Sequence, residues 1–433
     1  MRVKTYKKLL WISLIITCLV LIGMWIVTIY QRIPGNIKIR LGEEQVFRFG
    51  LPVTGDLSED TSGDDLEAIT VNGMKQSNIP KGSVHIDLNE PVSVKSEAET
   101  TYQIHLKLFG IIPFKNVDVD VVRDTYLKPV GQPVGIYLKT EGILVVGTGE
   151  FTAEDGNVVS PAEYILKNGD YIFEVNHTKV NTKSEFVSLV EASEGEPLVM
   201  RINRGGEEFD VEVYPQKNQS GVYKVGVWVR DNAQGIGTMT YVDENGNFGA
   251  LGHGISDIDV NQNFYLKGGT LYDTEIIAIK KGSRGNPGEM TGMISYTDKH
   301  ILGTVDKNTE CGIFGTCNDK MLSRVEEEAL PIALKQEVKK GKARIFCTIN
   351  GEPEYFDIEI KEIYHDPKTV NKGIVIEITD TELLAQTGGI VQGMSGAPII
   401  QDGRFVGAVT HVLVNEPKRG YGILAENMLE AAK

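Results

Sequence analysis

The N-terminal part of the chain contains an apolar run, from Leu9 to Tyr30, without a single charged side chain. A run of this length can cross the hydrocarbon core of a bilayer as a helix, which satisfies every backbone polar group internally. Basic residues between Arg2 and Lys8 precede the run, and they predict a cytoplasmic N-terminus with the remaining chain outside. We therefore expect residues 1–30 to form a cytoplasmic tip and a transmembrane anchor.

A cleaved signal peptide is the alternative interpretation of this run. Its apolar core would be shorter and would end in a small-x-small cleavage site. Here the run ends in Ile29-Tyr30-Gln31-Arg32, which favours an uncleaved anchor. Under either interpretation the functional part of the chain is extracytoplasmic.

Composition excludes some functions. The 433 residues allow two or three domains, and a hydrophobic content of 41% is ordinary for globular protein. The formal net charge of −15 argues against nucleic-acid binding, because phosphate contacts require a basic face. Acidic residues cluster in residues 55–67 without the spacing of a calcium loop, so we expect a flexible solvated loop there. The sequence predicts no metal site and no cofactor.

The four cysteines give little information on function. Cys18 lies in the apolar run, and Cys347 is expected in a core. Cys311 and Cys317 could form a disulfide in an oxidising compartment or remain two thiols, and the sequence leaves both states open. None of the four has the context of a catalytic nucleophile.

Residues 31–120 show the alternation of short β-strands. Tyr102, Ile104, Leu106 and Leu108 alternate with polar residues, which predicts a strand with one buried face. A small β module is expected in this range.

Residues 121–215 resemble a PDZ domain. The loop-to-strand stretch Pro133–Leu138 and the phrase from Gly169 to Asn176 carry the resemblance, together with a predicted helix from Thr182 to Glu191. The resemblance implies that Val134, Gly135 and Ile136 offer backbone amides to the carboxylate of a bound peptide.

Residues 216–433 change to short, glycine-rich strands joined by turns. Asp243–Asn247 is a hairpin turn signal, and many short strands with few helices indicate a β-barrel or sandwich. We expect a mainly β protein, and the stretch Gly393–Pro398 described next is what favours a chymotrypsin-like barrel for its C-terminal domain.

A candidate nucleophile lies in the stretch from Gly393 to Pro398, of sequence Gly-Met-Ser-Gly-Ala-Pro. Chymotrypsin-like peptidases present their serine in such a Gly-x-Ser-Gly-x-Pro frame. Flanking glycines allow backbone conformations closed to other residues and keep the hydroxyl of Ser395 uncovered. The backbone amides of Gly393 and Ser395 are the expected oxyanion donors.

The candidate base is one of seven histidines. His253 lies between two glycines at a predicted strand end, so its ring can face a cleft and reach a serine. His411 is expected to be structural or to lie in a pocket behind the nucleophile. The other histidines of this domain, His300 and His365, are expected at the surface.

A carboxylate that orients the base completes such a site. Asp380 lies at a predicted strand end shortly before Ser395, while Asp257 and Asp259 follow the base closely and Asp298 lies further along. Sequence spacing alone leaves these four open.

The anchor, the PDZ-like region and the two motifs around His253 and Ser395 together resemble the stage IV sporulation protein B family. Its members are serine peptidases of endospore-forming bacteria. The resemblance covers essentially the whole chain past the anchor. It implies His253 as general base, Ser395 as nucleophile and, on a less distinctive stretch, Asp380 as the third member of a triad.

The same resemblance implies the cellular role. The domains would be exported into the space between the forespore and mother-cell membranes, where the peptidase processes itself and then cleaves a membrane-bound inhibitor. This cleavage would free an intramembrane protease that activates a late sigma factor. The expected partners are protein substrates, including the chain itself, that regulatory complex, and the membrane.

Three alternatives use the same sequence features differently. A non-catalytic membrane-anchored PDZ scaffold would treat the Ser395 stretch as a turn. A carboxyl-terminal processing protease would use a serine–lysine pair and leave His253 idle. A protease of the high-temperature-requirement type would have its peptidase domain before the PDZ domain, the reverse of the order here.

Overall fold

The computed structural model describes residues 2–33, 35–47, 50–59, 69–75, 84–257, 259–260, 262–364 and 367–433. The chain divides into two compact units, residues 1–125 and 126–433. Residues 60–67 of the predicted acidic loop and His365 lie outside the described residues. Residues 55–59 of that loop instead continue a β-strand, which corrects the loop prediction there.

The first unit begins with a long helix, α1 (Arg2–Arg32), followed by nine strands. Within α1, Tyr6–Tyr30 is long and apolar enough to cross a membrane. The strands are β1 (Asn36–Arg40), β2 (Gln45–Phe47), β3 (Val53–Glu59), β4 (Ile69–Val71), β5 (Met74–Lys75), β6 (Val84–Asp87), β7 (Val92–Ser96), β8 (Thr101–Leu108) and β9 (Ile112–Val122).

These strands form a five-stranded sheet in the order β1-β9-β8-β3-β6 and a four-stranded sheet in the order β2-β7-β4-β5. The predicted alternation in β8 is confirmed: Tyr102, Ile104, Leu106 and Leu108 are all buried. One apolar core joins the two sheets to the last turns of α1.

The second unit begins with β10 (Tyr126–Pro129) and the long β11 (Pro133–Thr148), and β11 is the first strand of a barrel. The later strands of this barrel are β20 (Val227–Val242), β21 (Asn247–Ala250), β22 (Leu266–Tyr272), β25 (Ile301–Thr309) and β26 (Gly312–Cys317). The six strands run in the order β11-β22-β25-β26-β21-β20, and pairing of β11 with β20 closes the ring.

A PDZ-like module, residues 143–230, extends from one end of the long strands β11 and β20. Its helix α2 (Lys183–Glu191) has a complete capping box between Thr182 and Glu185, so the predicted helix is confirmed. Its further strands are β12 (Phe151–Thr152), β13 (Val158–Val159), β14 (Tyr171–Val175), β15 (Thr178–Lys179), β16 (Leu198–Arg204), β17 (Glu207–Val213), β18 (Gln216–Lys217) and β19 (Tyr223–Lys224).

The third part is a closed barrel in the order β28-β29-β30-β34-β33-β32. Its strands are β28 (Gly341–Thr348), β29 (Pro353–Ile363), β30 (Ile374–Ile378), β32 (Pro398–Gln401), β33 (Arg404–Val412) and β34 (Arg419–Leu424). Connecting elements are β23 (Thr274–Lys280), β24 (Gly288–Ile294), α3 (Asp319–Leu322), β27 (Leu330–Pro331), α4 (Thr381–Thr387), β31 (Val391–Gln392), α5 (Ala425–Ala432) and 3₁₀ helices at Asp298–His300 and Pro367–Lys372.

The predicted mainly β fold with a C-terminal barrel is confirmed. The domain boundaries need one correction. Residues 126–139 were predicted within a PDZ domain of residues 121–215, but they pair with the strands of the first barrel. The PDZ-like module is therefore an insertion into that barrel, because β11 enters the module and β20 returns from it.

Candidate active site

The predicted nucleophile, Ser395, lies in the loop between β31 and β32, and this loop contacts both barrels. The carbonyl of Ser395 accepts a hydrogen bond from the amide of Thr238 on β20 at 3.0 Å. The hydroxyl of Ser395 donates to the carbonyl of Thr410 on β33 at 2.7 Å. Both barrels thus fix the position of the serine.

Two glycines of this loop are required by geometry. Gly393 has φ +105° and Gly396 has φ +99°, both in the region that favours glycine. A Cβ on Gly396 would lie 2.0 Å from the carbonyl oxygen of Thr238. The loop can therefore approach the first barrel this closely only with glycine at position 396.

The predicted oxyanion donors are available. Neither the amide of Gly393 nor that of Ser395 has a hydrogen-bond partner among the described residues. The neighbouring amides are occupied, since Met394 donates to Val391 and Gly396 to Val409. The loop therefore leaves open the two amides that oxyanion stabilisation needs.

His253 follows β21 of the first barrel in a tightly bent loop. Leu251, just before it, has φ +70°, an unfavourable conformation for a branched side chain and one that concentrates at functional sites. A Cβ on Gly252 would lie 2.9 Å from the side chain of Thr410. Glycine at this position thus lets the loop pack on the second barrel, a role beyond the openness expected from sequence.

His253 is held in the protonation state of a general base. Its Nδ1 lies 2.8 Å from the carbonyl oxygen of Gly254. A carbonyl can only accept, so Nδ1 carries the proton and Nε2 keeps its lone pair. Burial lowers the pKa of His253, and the hydrogen bond to Gly254 offsets this only in part. The ring is therefore neutral at neutral pH.

A second histidine stands next to the first. The ring centroids of His411 and His253 are 4.9 Å apart, and the buried Nδ1 of His411 has no hydrogen-bond partner within the described part of the chain. Burial, with the charges of His253 and Lys372, lowers the pKa of His411 to about 4. From sequence, His411 was expected either to be structural or to lie in a pocket behind Ser395, and the structure supports the pocket.

Asp380 has a different neighbourhood from that predicted. Its carboxylate caps α4 by accepting hydrogen bonds from the amides of Glu382 and Leu383, each at 2.9 Å. Its second oxygen lies 3.4 Å from the amide of Asp357. The structure therefore brings Ser395 and His253 together but gives the Asp380 carboxylate backbone partners instead of the imidazole.

The other carboxylates expected near His253 are also used elsewhere. Asp257 is buried and pairs with Arg230, which also contacts Asp259 at 2.6 Å. Asp298 is exposed at the start of a 3₁₀ helix. The partner of His253 Nδ1 is thus a backbone carbonyl.

A cleft of about 1350 Å³ contains the site. Ser395, His253 and His411 line it, and the remaining wall includes Ile390 and Val412. Among the described residues that line this cleft there are two histidines, His253 and His411, but no lysine. This set fits a histidine-dependent serine peptidase rather than one with a serine–lysine pair.

The peptide-binding loop of the PDZ-like module is not where the sequence predicted it. Val134, Gly135 and Ile136 lie in the middle of β11, and Gly135 and Ile136 pair with β20 on one side and β22 on the other. The side chains of Val134 and Ile136 are fully buried. Their amides are therefore part of the barrel and closed to a peptide, which corrects the prediction.

A groove of about 490 Å³ lies instead between α2 and the start of β20. Phe186, Val187 and Val190 of α2 form one wall, and residues 222–230 form the other. In the described chain, the strand partners of residues 227–230 all lie on β11, on one edge of the strand. The stretch Val225-Gly226-Val227 has the same Val-Gly-aliphatic pattern as Val134–Ile136, so the sequence carried a signal for this site.

The described residues contain no group of three or more His, Cys, Asp or Glu placed to hold a metal ion. Cys311 and Cys317 are free thiols, and Cys317 Sγ lies 3.9 Å from the sulfur of Met239. Cys347 is buried, as predicted.

Comparison with known families gives a match in the second half of the chain. Residues 221–429 match the family described as SpoIVB peptidase S55. The match contains both His253 and Ser395. The match indicates a serine peptidase domain within residues 221–429.

Two curated proteins match short stretches of the chain. The membrane metalloprotease ARASP, chloroplastic, of Arabidopsis thaliana is 36% identical over 74 residues, which are 16% of this chain and 17% of the plant protein. The putative zinc metalloprotease CPE1693 of Clostridium perfringens (strain 13 / Type A) is 32% identical over 69 residues, 16% of this chain and 21% of that protein. The chain thus spans about a fifth of the length of the curated relatives it matches.

Solved structures show only a distant likeness. The Rv3671c protease of M. tuberculosis, in its active form, has a TM-score of 0.25 at 16% identity, covering 46% of this chain and 73% of that one. The PDZ domain of an SdrC-like protein of Listeria monocytogenes has a TM-score of 0.17 at 18% identity, covering 21% and 87%. Neither score is high enough to support an argument about this chain.

Proposed function

We propose that this chain, whose residues 221–429 form a domain of the SpoIVB peptidase S55 family, is a membrane-anchored, self-processing serine endopeptidase that acts as a signalling protease in sporulation. The observation that carries the proposal is the shared cleft of Ser395 and His253, with two open backbone amides beside the serine.

The residues support a mechanism of acyl transfer. Ser395 Oγ turns from the carbonyl of Thr410 towards Nε2 of His253, which accepts the hydroxyl proton as Oγ attacks the scissile carbonyl carbon. The amides of Gly393 and Ser395 donate to the oxyanion. His253 then gives its proton to the leaving amine, and the peptide bond breaks. Water, deprotonated by His253, releases the acyl group from Ser395.

Two groups are proposed to orient His253. The carbonyl of Gly254 holds Nδ1 in the present conformation. The family resemblance assigns this role to the carboxylate of Asp380, which would have to exchange its capping bonds for the imidazole. These roles are compatible with a resting enzyme that completes its site when substrate binds.

The groove between α2 and β20 is proposed to select partners. An extended peptide can add as a strand to the edge of residues 227–230 and place apolar side chains against Val187 and Val190. The proposed ligands are segments of the chain itself and of a membrane-protein complex that regulates an intramembrane protease. α1 would hold the peptidase beside such partners, with its N-terminus in the cytoplasm and the folded units in the intermembrane space.

Mapping self-cleavage products by mass spectrometry tests the proposal. Full-length wild type should release defined fragments, whereas Ser395→Ala and His253→Ala should stay intact, with rates lower by about 10⁴-fold or more. A fluorophosphonate should label Ser395 only when His253 is present. His300→Ala is the matched control, because this histidine bonds Thr297 in an exposed turn and should leave both readouts unchanged. Persistent trimming by pure Ser395→Ala protein would overturn the assignment.

A further inference from the structure

The hairpin that joins β8 and β9 has an unusually apolar tip. Phe109, Ile111 and Ile112 are 60%, 81% and 56% exposed. Short hairpin turns normally carry glycine, asparagine, aspartate or serine, and only Gly110 follows that rule here. Phe109 has φ +53°, a conformation that is unfavourable for a bulky residue. A contiguous exposed apolar patch of this kind marks an interaction surface.

Aromatic side chains of the hairpin pack against the C-terminal part of α1. The rings of Phe109 and Trp25 are stacked at a centroid distance of 6.1 Å. Closer to the base of the hairpin, the ring of Phe114 packs edge-on against the ring of Tyr30, with a centroid distance of 5.6 Å. The tip of the hairpin therefore lies beside the apolar part of α1, and its base lies beside the end of the apolar run.

The hairpin becomes more polar from its tip towards its base. Lys115 donates to the carbonyls of Tyr30 and Ile33, at 3.3 and 2.5 Å, and its ammonium lies 4.4 Å from the centroid of the Tyr30 ring. The last turn of α1 is also packed into the first unit, since Ile29 and Ile33 are buried. The base of the hairpin, with Lys115, thus lies beside the C-terminal end of α1. The apolar tip lies nearer the middle of the helix, at Trp25.

The length of α1 sets the level of the tip relative to a bilayer. Tyr6–Tyr30 has 25 residues, a length of roughly 37 Å at 1.5 Å per residue. The hydrocarbon core is only about 30 Å thick, which takes about 20 residues. Because Lys7 and Lys8 keep the start of this stretch in the inner headgroup layer, about 20 core residues counted from Leu9 end near Thr28. Trp25 therefore lies within one turn of the outer boundary, where Trp and Tyr are enriched. Phe109, at the level of Trp25, therefore lies at the same depth.

We propose that the hairpin tip, residues 109–112, inserts into the interfacial layer of the outer leaflet as a second membrane contact beside α1. The inference rests on the proposed membrane anchoring of α1. Its partner is the boundary between lipid headgroups and acyl chains, where apolar side chains gain burial without a specific receptor. Two contacts would fix the orientation of the first unit on the membrane, which a single helix cannot do.

Depth-dependent quenching in vesicles tests the inference with the full-length chain. Ile111→Cys, labelled with an environment-sensitive fluorophore in phosphatidylcholine vesicles, is compared with the native thiol of Cys18 inside the apolar run. Val46→Cys, on an exposed side chain of the same unit, is the aqueous control. In each case the other accessible cysteines are replaced by serine. Lipids spin-labelled near the headgroup or deep in the acyl chain serve as quenchers.

We expect the Ile111 probe to be quenched by the shallow spin label, the Cys18 probe by the deep label, and the Val46 probe by neither. Quenching at Cys18 without quenching at Ile111 would overturn the inference and leave the anchor intact. Loss of quenching at Cys18 would overturn both. A probe at Ile111 that is shielded from aqueous iodide but unaffected by spin-labelled lipid would reveal a protein partner and also overturn the inference.

A charge at the tip provides a second check. Ile112 is exposed, so Ile112→Glu should leave the fold unchanged. Because a carboxylate disfavours the interfacial layer, the Ile111 probe should lose its shallow quenching in this variant while the Cys18 probe keeps its deep quenching. Equal quenching at Ile111 with and without the glutamate would contradict insertion.

Discussion

The hydroxyl of Thr238 donates a hydrogen bond to the carbonyl of Gly393 at 2.7 Å. The same residue uses its amide to hold the carbonyl of Ser395 and its carbonyl to accept from the amide of Leu251, at 3.0 and 3.2 Å. Leu251 begins the loop that carries His253. One buried residue of β20 therefore positions the nucleophile loop and the base loop relative to each other.

Replacing this hydroxyl should slow catalysis without weakening substrate binding. In Thr238→Val the partly buried carbonyl of Gly393 loses its donor, which costs about 1–3 kcal/mol, and this carbonyl belongs to the loop proposed to form the oxyanion site. We expect kcat to fall about tenfold or more, with KM and the pH profile unchanged. Thr238→Ser keeps the donor and should restore kcat. Equal loss in both variants would indicate a packing effect instead.

The sequence alone predicted Ser395 and His253 as candidate catalytic residues because the signal for each is local. When glycines flank a serine or a histidine, these few neighbouring residues already indicate that its side chain is exposed. Thr238 has no such signal, since its partner at Gly393 lies 155 positions away and only the closure of the barrels brings them together. The insertion of the PDZ-like module was missed for the same reason, because a strand shared by two substructures looks like one strand in sequence.

Asp380 illustrates a local signal, that of a capping carboxylate, which competes with the triad expectation. An aspartate that precedes Thr381-Glu382-Leu383 has the pattern of a helix N-cap, with an acidic residue in the first turn. This local pattern predicts the observed hydrogen bonds without reference to His253. Its position before Ser395 suggested a triad, but proximity in sequence does not determine which partner the carboxylate meets.

Substitution of Asp380 separates its two roles. Asparagine caps helices about as well as aspartate, so Asp380→Asn should keep the melting temperature, whereas Asp380→Ala should lose about 1 kcal/mol of unfolding free energy. The proposed role in orienting His253 requires peptidase activity of Asp380→Asn to fall by about 10⁴-fold. Activity of Asp380→Asn near that of wild type would leave capping as the only role. Calorimetry and cleavage of a reporter peptide provide the two readouts.

Acid should affect activity and stability through the two neighbouring histidines. Burial lowers the pKa of His253, so the base stays neutral below pH 6.5 and the acid limb of kcat/KM should lie below that value. A limb above pH 6.5 would contradict a desolvated base.

The stability effect comes from His411, whose pKa is about 4 in the folded state against 6.5 for the free side chain. The unfolded chain therefore takes up a proton first, and stability should be lost as the pH falls from 6.5 to 4. Burial is the main cause of this lowered pKa, and the charges of His253 and Lys372 lower it further. His411→Gln should flatten the decline in urea unfolding over that range, and an unchanged slope would exclude His411 as its source.

The close packing of Gly396 against Thr238 of β20 can be tested by adding one methyl group at position 396. Gly396→Ala would place Cβ 2.0 Å from the carbonyl of Thr238, so we expect a loss of about 3 kcal/mol in stability and of most activity. Gly403→Ala is the matched control, since Gly403 has a similarly positive φ of +74° but open space around it. That variant should lose only the conformational cost, about 1–2 kcal/mol, and keep its kcat. Equal effects of the two variants would assign the loss to backbone conformation.

Selection of protein substrates should depend on the groove beside α2 separately from the chemistry at Ser395. Val187 is 40% exposed on the groove wall, so Val187→Asp should fold normally but place a charge where an apolar peptide side chain would pack. We expect slower cleavage of protein substrates and unchanged cleavage of a short reporter peptide that reaches only the cleft. Val158→Asp, at an exposed position outside the residues lining the groove, should change neither rate. If the reporter peptide slowed in parallel with the proteins, the groove would be acting on the catalytic loops through β20, whose other end holds Ser395.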